Sequence, residues 1–145
     1  MRNILIVDDD APYLDALREQ IRSLYPLLAV VTCCDPFQAL AILKAGPVDL
    51  LLVDLEMPVL DGTKILGYAV SIGLDKNRIV ILSGRDSDYL HEQFPMGTCL
   101  AVLNKYEAKQ KAVLDMIFSS MQRKAAAVSQ TAGNDGNDGN DGMME

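Results

Sequence analysis

Short runs of consecutive apolar residues alternate along the chain with segments whose apolar residues recur at helical spacing. Residues 4–7 form the first run. Behind it, Leu14, Leu17, Ile21 and Leu24 share one helical face. Asp10 is placed to cap that helix, and Pro12 is tolerated in its first turn. Residues 29–32 predict a second strand. Asp35-Pro36 then reads as a cap followed by Pro at the first helical position, and Gly46-Pro47 stops that helix after about Ala45. Residues 50–53 predict the third strand, and Ile65, Leu66, Ala69 and Ile72 mark a third helix that Gly73 closes. Residues 79–82 predict the fourth strand, followed by a short helix over 87–93 that Pro95 cuts. Residues 100–103 predict the fifth strand. The last helix starts near Glu107, turns Val113, Met116 and Ile117 inward and frays past Arg123.

Five βα units in succession predict an α/β domain, a doubly wound five-stranded parallel sheet with helices on both faces. The predicted strands are continuously apolar rather than alternating, as burial on both faces requires. In such sheets, polar residues at the carboxyl ends of the strands form the site. Strand one ends in Asp8, Asp9 and Asp10, strand three in Asp54, strand four in Ser83-Gly84 and strand five in Asn104-Lys105.

Composition narrows the class. With 145 residues and 15.8 kDa, the chain suits one domain. Half the residues are apolar and the mean hydropathy is +0.13, yet no apolar run approaches the roughly 20 residues of a membrane helix. The first residues lack a signal-peptide layout. The net charge of −7 argues against binding nucleic acid or an anionic membrane through bulk charge. Residues 126–145 hold four of the acids and no Lys or Arg, which leaves −3 for residues 1–125. That tail carries the triplet repeat Gly133-Asn134-Asp135, Gly136-Asn137-Asp138, Gly139-Asn140-Asp141, and its composition predicts disorder. A calcium-binding β-roll would need a period of nine and an apolar position, and both are missing. Cys33, Cys34 and Cys99 have no metal-ligand spacing, so reduced thiols and a cytoplasmic location are expected.

The strand-end residues carry the chemistry. Asp8, Asp9 and Asp54 gathered at one edge would repel one another unless a cation intervenes. Hard carboxylate oxygens near solvent suit Mg²⁺, which keeps several waters and takes few protein ligands. Lys105 adds a second positive charge, and Ser83 a hydroxyl. Such a set matches a phosphoryl group, with Asp54 as the nucleophile that becomes an aspartyl phosphate.

At this point the chain resembles a known family, the receiver domain of two-component response regulators. The resemblance covers roughly residues 2–124. It rests on Ile4-Leu5-Ile6-Val7-Asp8-Asp9-Asp10, on Leu51-Leu52-Val53-Asp54-Leu55-Glu56-Met57-Pro58 with Asp61-Gly62, on Ile81-Leu82-Ser83-Gly84 and on Leu103-Asn104-Lys105. Ser83 follows Asp54 by 29 residues and Lys105 follows Ser83 by 22, spacings that suit the family. The resemblance implies a flavodoxin-like sheet of order 2-1-3-4-5, with a receiver domain over 1–125. It implies that Asp54 accepts a phosphoryl group from a sensor histidine kinase or phosphotransfer protein. Asp9 would bind Mg²⁺ directly, Asp8 through water, and Glu56 would offer its backbone carbonyl. Ser83 and Lys105 would each hold a phosphoryl oxygen, and Gly84 would leave room for the group and present its N–H. The output would be a protein target bound by the face of the fourth helix, fifth strand and fifth helix, a face through which the resemblance also allows a homodimer. No direct nucleic-acid contact or membrane insertion is implied.

Several positions depart from the family pattern. Val102 stands where the switch aromatic is usual, and Tyr106 where a Pro follows the Lys, which puts the cis peptide at that position in question. Glu56 adds a carboxylate two residues past Asp54, with a solvated side chain expected. Pro95 shortens the fourth helix. His91, the one histidine, reads as a surface residue, and Lys109, Lys111, Arg123 and Lys124 read as a solvated basic face. The alternatives are a receiver-like interaction module that no longer cycles phosphate, a receiver fragment of a longer regulator, and a haloacid-dehalogenase-type phosphatase using Asp8 and Asp10.

Overall fold

Four aspartates start four helices. In the computed structural model, which describes residues 2–133, Asp10 accepts the Tyr13 N–H and opens α1 (Ala11–Leu24). Asp35 accepts the Phe37 N–H and opens α2 (Pro36–Ala45). Asp61 accepts the Thr63 and Lys64 N–H groups ahead of α3 (Gly62–Ser71), and Asp86 accepts the Tyr89 N–H ahead of α4 (Ser87–Gln93). Each such cap satisfies a donor that the helix itself cannot, a contribution of about 1 kcal/mol. The last helix, α5, spans Ala108–Gly133.

The strands are β1 (Arg2–Val7), β2 (Leu28–Cys33), β3 (Leu50–Asp54), β4 (Ile79–Ser83) and β5 (Ala101–Asn104). They form one parallel sheet in the order β2-β1-β3-β4-β5. Every residue of β3 and β4 is buried. Alternate side chains serve two half-cores. Leu5, Val7, Leu51, Val53, Ile79 and Ile81 pack with Ala39, Leu43, Ile65, Ala69 and Leu90 of α2, α3 and α4. Ile4, Ile6, Leu50, Leu52, Val80 and Leu82 pack with Leu14, Leu17, Ile21, Leu114 and Phe118 of α1 and α5. The continuous apolar runs therefore fill both faces.

The expected elements are all present, but several faces differ. Leu24 is exposed, and Tyr25, just past α1, takes the buried place. Ile72 caps α3 and is exposed. β5 begins at Ala101, leaving Leu100 outside it and exposed. In α5 the buried apolar residues are Leu114, Phe118 and Ala125, with Ile117 partly buried against the same core as expected, whereas Met116 is 70% exposed. Two overlapping apolar stripes fit the helical period there. The bulkier one wins because Phe118 meets the Tyr25 ring at a centroid distance of 5.7 Å.

The helix also continues past Arg123 to Gly133 rather than fraying. Gln122 accepts the Leu27 N–H at 2.9 Å just before that point, and Ala125 just past it is buried against the domain. Residues 126–133, part of the segment whose composition predicts disorder, are thus helical, while the rest of that segment, with the triplet repeat beyond Gly133, lies outside the described residues. Cys33 and Cys99 are buried and Cys34 is exposed, all as free thiols. Cys99 precedes β5 rather than lying in it. Among the described residues no helix is long and apolar enough to cross a membrane.

The α5 facing sets a stability test. Phe118→Ala should cost about 3–5 kcal/mol in urea unfolding, and Met116→Ala no more than about 0.5 kcal/mol.

Candidate functional site

Strand register brings the polar residues to one edge. Val7 pairs with Val53, so Asp8 and Asp54 follow side by side on adjacent strands. Asp54 pairs with Leu82, which puts Ser83 one residue further on. Ser83 pairs with Asn104, so Lys105 follows directly. The Lys105 N–H donates to the Ser83 carbonyl at 2.8 Å and carries the pairing past the end of β5.

Asp8, Asp9 and Asp54 each present a carboxylate oxygen within 4.8 Å of the others. Asp8 and Asp54 are buried, and Asp9 is exposed at the mouth of the cluster. The buried Lys105 side chain places Nζ 2.8 Å from Asp8 Oδ2 and 4.0 Å from Asp54 Oδ1. The other Asp8 oxygen accepts the Asp10 N–H at 2.9 Å. Asp10 itself caps α1.

The electrostatics follow from burial. Desolvation first, then the Asp8 charge, push the Asp54 carboxyl up to about 7, with Lys105 acting in the opposite direction. Burial also works against the charge of Lys105. The hydrogen bond to Asp8 and the charges of Asp54 and Asp8 outweigh it and hold the ammonium above its usual value. Three carboxylates against one ammonium leave the cluster anionic. Its hard oxygen donors, one of them exposed, fit a divalent cation of the Mg²⁺ type.

Ser83 is fully buried, and its hydroxyl donates to Glu56 Oε2 at 2.7 Å. The Gly84 N–H donates to Glu56 Oε1 at 3.2 Å. The Arg85 N–H donates to Ser83 Oγ at 3.0 Å. The expectation of a simply solvated Glu56 side chain is therefore corrected. The residue is exposed, but both carboxylate oxygens are engaged, because the chain turn after β3 aims them at the end of β4.

Gly62 is required by close approach. A Cβ there would lie 2.9 Å from Leu55 Cα and would collide with the Asp54 carbonyl oxygen, so Asp61-Gly62 closes the loop behind Asp54. The Tyr106 ring lies over Gly84, where a Cβ would meet Tyr106 Cε2 at 3.2 Å. No cis peptide occurs among the described residues. Val102 is half-buried, and His91 is exposed on α4.

Tyr13 was not singled out by the sequence. Its ring lies 4.6 Å from Lys105 Nζ, a cation–π contact at a buried charge. Burial pushes its phenol up to about 12, and its oxygen accepts from Gln110 Nε2 at 3.3 Å. The available signal was its place in the first turn after the Asp8-Asp9-Asp10 strand end.

With this geometry in hand, comparison with known proteins gives a consistent picture. Residues 4–118 match the response regulator receiver domain, and the chain belongs to that family. It is similar to the cyclic di-GMP phosphodiesterase response regulator RpfG of Xanthomonas campestris pv. campestris (strain 8004). The two are 47% identical over 60 residues, 41% of this chain and 16% of that protein. It is also similar to stress response regulator protein 1 of Meyerozyma guilliermondii, at 39% identity over 67 residues, 46% of this chain and 30% of that one. The matched part thus spans under a third of either curated relative. The fold matches a CheY-like receiver domain from Methanospirillum hungatei JF-1 with a TM-score of 0.69 at 21% identity, covering 87% of this chain and 97% of that one. It also matches the response regulator TrrA of Thermotoga maritima, solved in complex with Mg²⁺ and BeF. There the TM-score is 0.65 at 22% identity, covering 80% of this chain and 96% of that one.

The raised Asp54 carboxyl sets the sign of a pH effect. Its contribution to stability is complete below about 4, the unfolded value, and is lost as pH rises through about 7. In metal-free buffer, Asp54→Asn should therefore stabilise the protein above pH 7. That gain should shrink as pH falls from 7 to 4, which urea titrations across this range would read.

Proposed function

We propose that the chain is a phosphoacceptor, and that Asp54 takes a phosphoryl group from a sensor histidine kinase or phosphotransfer protein. The observation that carries this reading is the meeting of Asp54 with Asp8, Asp9 and the Lys105 ammonium at one sheet edge. The phosphoacceptor unit in this reading is residues 1–125.

An Asp54 carboxylate oxygen attacks phosphorus, the P–N bond of the phosphohistidine breaks, and the imidazole nitrogen leaves with the electron pair. Asp8, Asp9, Asp54 and the Glu56 carbonyl would hold Mg²⁺, which when bound supplies positive charge to the phosphoryl oxygens. Lys105 pairs with one phosphoryl oxygen, and its buried position makes that charge effective. The Ser83 hydroxyl and Gly84 N–H take another, on the side where Glu56 now sits.

The product adds roughly −1.5 to −2 charge at the strand ends. Lys105 and Ser83 answer that charge, and their shift biases the face of α4, β5 and α5 toward a protein target or a second copy of the chain. The reading places the chain in the cytoplasm, with protein partners and no direct nucleic-acid contact. A second reading, an interaction module that no longer cycles phosphate, is favoured by one observation, the Glu56 carboxylate on Ser83 and Gly84. The phosphatase alternative has no such support, because the Asp10 it needs is engaged as a helix cap.

Incubation with Mg²⁺ and acetyl phosphate, followed by intact-mass spectrometry, tests the proposal. The native chain should gain one phosphoryl adduct and Asp54→Asn none. An adduct that survives in Asp54→Asn would remove Asp54 from the role, and no adduct on the native chain would leave the interaction-module reading.

A further inference from the structure

Glu56 is a carboxylate held by two neutral donors. Its oxygens take the Ser83 hydroxyl at 2.7 Å and the Gly84 N–H at 3.2 Å. The nearby cations are committed elsewhere. Lys105 lies on Asp8 and near Asp54, and the Arg85 guanidinium stacks 3.8 Å from the Tyr89 ring centre. The Ser83 hydroxyl is fully buried and fixed from both sides, donating to Glu56 and accepting from the Arg85 N–H. A buried hydroxyl beside a backbone N–H is a small anion seat.

We propose that Glu56 is the resident occupant of this seat, the one that the phosphoacceptor reading above gives to a phosphoryl oxygen on Asp54. The side chain acts as a positioning residue, a tethered internal anion that holds Ser83 and Gly84 in place and must leave before the phosphoryl group is seated. The inference rests on the phosphoacceptor reading above and adds a competitor to it. Two costs fall on the incoming group. It must break two hydrogen bonds to a carboxylate, and it must displace a negative charge from a site already lined by Asp8, Asp9 and Asp54. Against those costs, the seat is kept assembled, with its hydroxyl rotor already set before any ligand arrives. The device makes the unmodified state the resting state and sets a threshold for phosphoryl donors. It also predicts faster loss of the group, since the freed Glu56 stays tethered beside the seat it left.

Beryllofluoride at saturating Mg²⁺ serves as the probe, with affinity read by calorimetry. Glu56→Ala should bind it on the order of tenfold more tightly than the native chain, the equivalent of about one charged hydrogen bond. Glu56→Gln, which keeps an acceptor without the charge, should fall between the two. Without Mg²⁺ or beryllofluoride, the Gly84 amide proton should move upfield in Glu56→Ala, reporting the lost bond directly. Equal or weaker binding by Glu56→Ala overturns the proposal. So does tighter binding with an unmoved Gly84 amide, which would reduce Glu56 to general charge repulsion. If no variant binds beryllofluoride while the amide shift is present, the phosphoacceptor reading fails and Glu56 competes with no phosphoryl group, although its bond to Gly84 stands.

Discussion

Burial of the sheet on both faces is the constraint from which the rest follows. With α1 and α5 on one side and α2, α3 and α4 on the other, β3 and β4 have no solvated face at all. Their backbone groups are satisfied by neighbouring strands, and their interior side chains are apolar. A polar group can join such strands only where they end. Asp8, Asp54, Ser83 and Lys105 all stand at that limit, close enough to the core to be desolvated and close enough to the edge to meet a ligand.

Desolvation gives the edge its character. Lys105 and Asp8 form a buried ion pair 2.8 Å apart, and such a pair is costly to break because either partner alone would be an uncompensated charge. The pair therefore fixes the end of β5 against the end of β1, across the intervening strands. Tyr13 closes the space beneath the ammonium with its ring and ties it to α5 through Gln110. The remaining carboxylates are left in excess, a standing demand for positive charge and a reason for the site to be sensitive to metal and pH together.

Two departures from the family pattern meet beside the same glycine. Glu56 reaches the Gly84 N–H from one side, and the Tyr106 ring covers its α-carbon from another. Gly84 thus lies between a charged loop residue and the first residue after Lys105. Val102, half-buried in β5, offers no ring to rotate. What surrounds Gly84 in this chain is therefore the β4–α4 loop and the segment that begins at Tyr106.

Much of this was legible in one dimension. Apolar runs of strand length, aspartate caps ahead of α1 and α2 and strand-end acids are local patterns, and they led to five βα units and to Asp8, Asp9, Asp54, Ser83 and Lys105 together. Local patterns could not choose between overlapping helical stripes. The choice of Phe118 over Met116 depended on where α5 meets Tyr25, a residue far away in the chain. Nor could they show that α5 continues past Arg123, because the burial of Ala125 depends on packing against residues distant in the chain. The placement of Tyr13 under Lys105 and of the Glu56 carboxylate on Ser83 and Gly84 belongs to the same class. The sequence by itself determined which residues stand at the strand ends, because period and burial act on neighbours along the chain. Tertiary structure alone decided which of those groups touch, because hydrogen bonds and ion pairs depend on distances of a few ångströms between strands that the chain joins only through long crossovers.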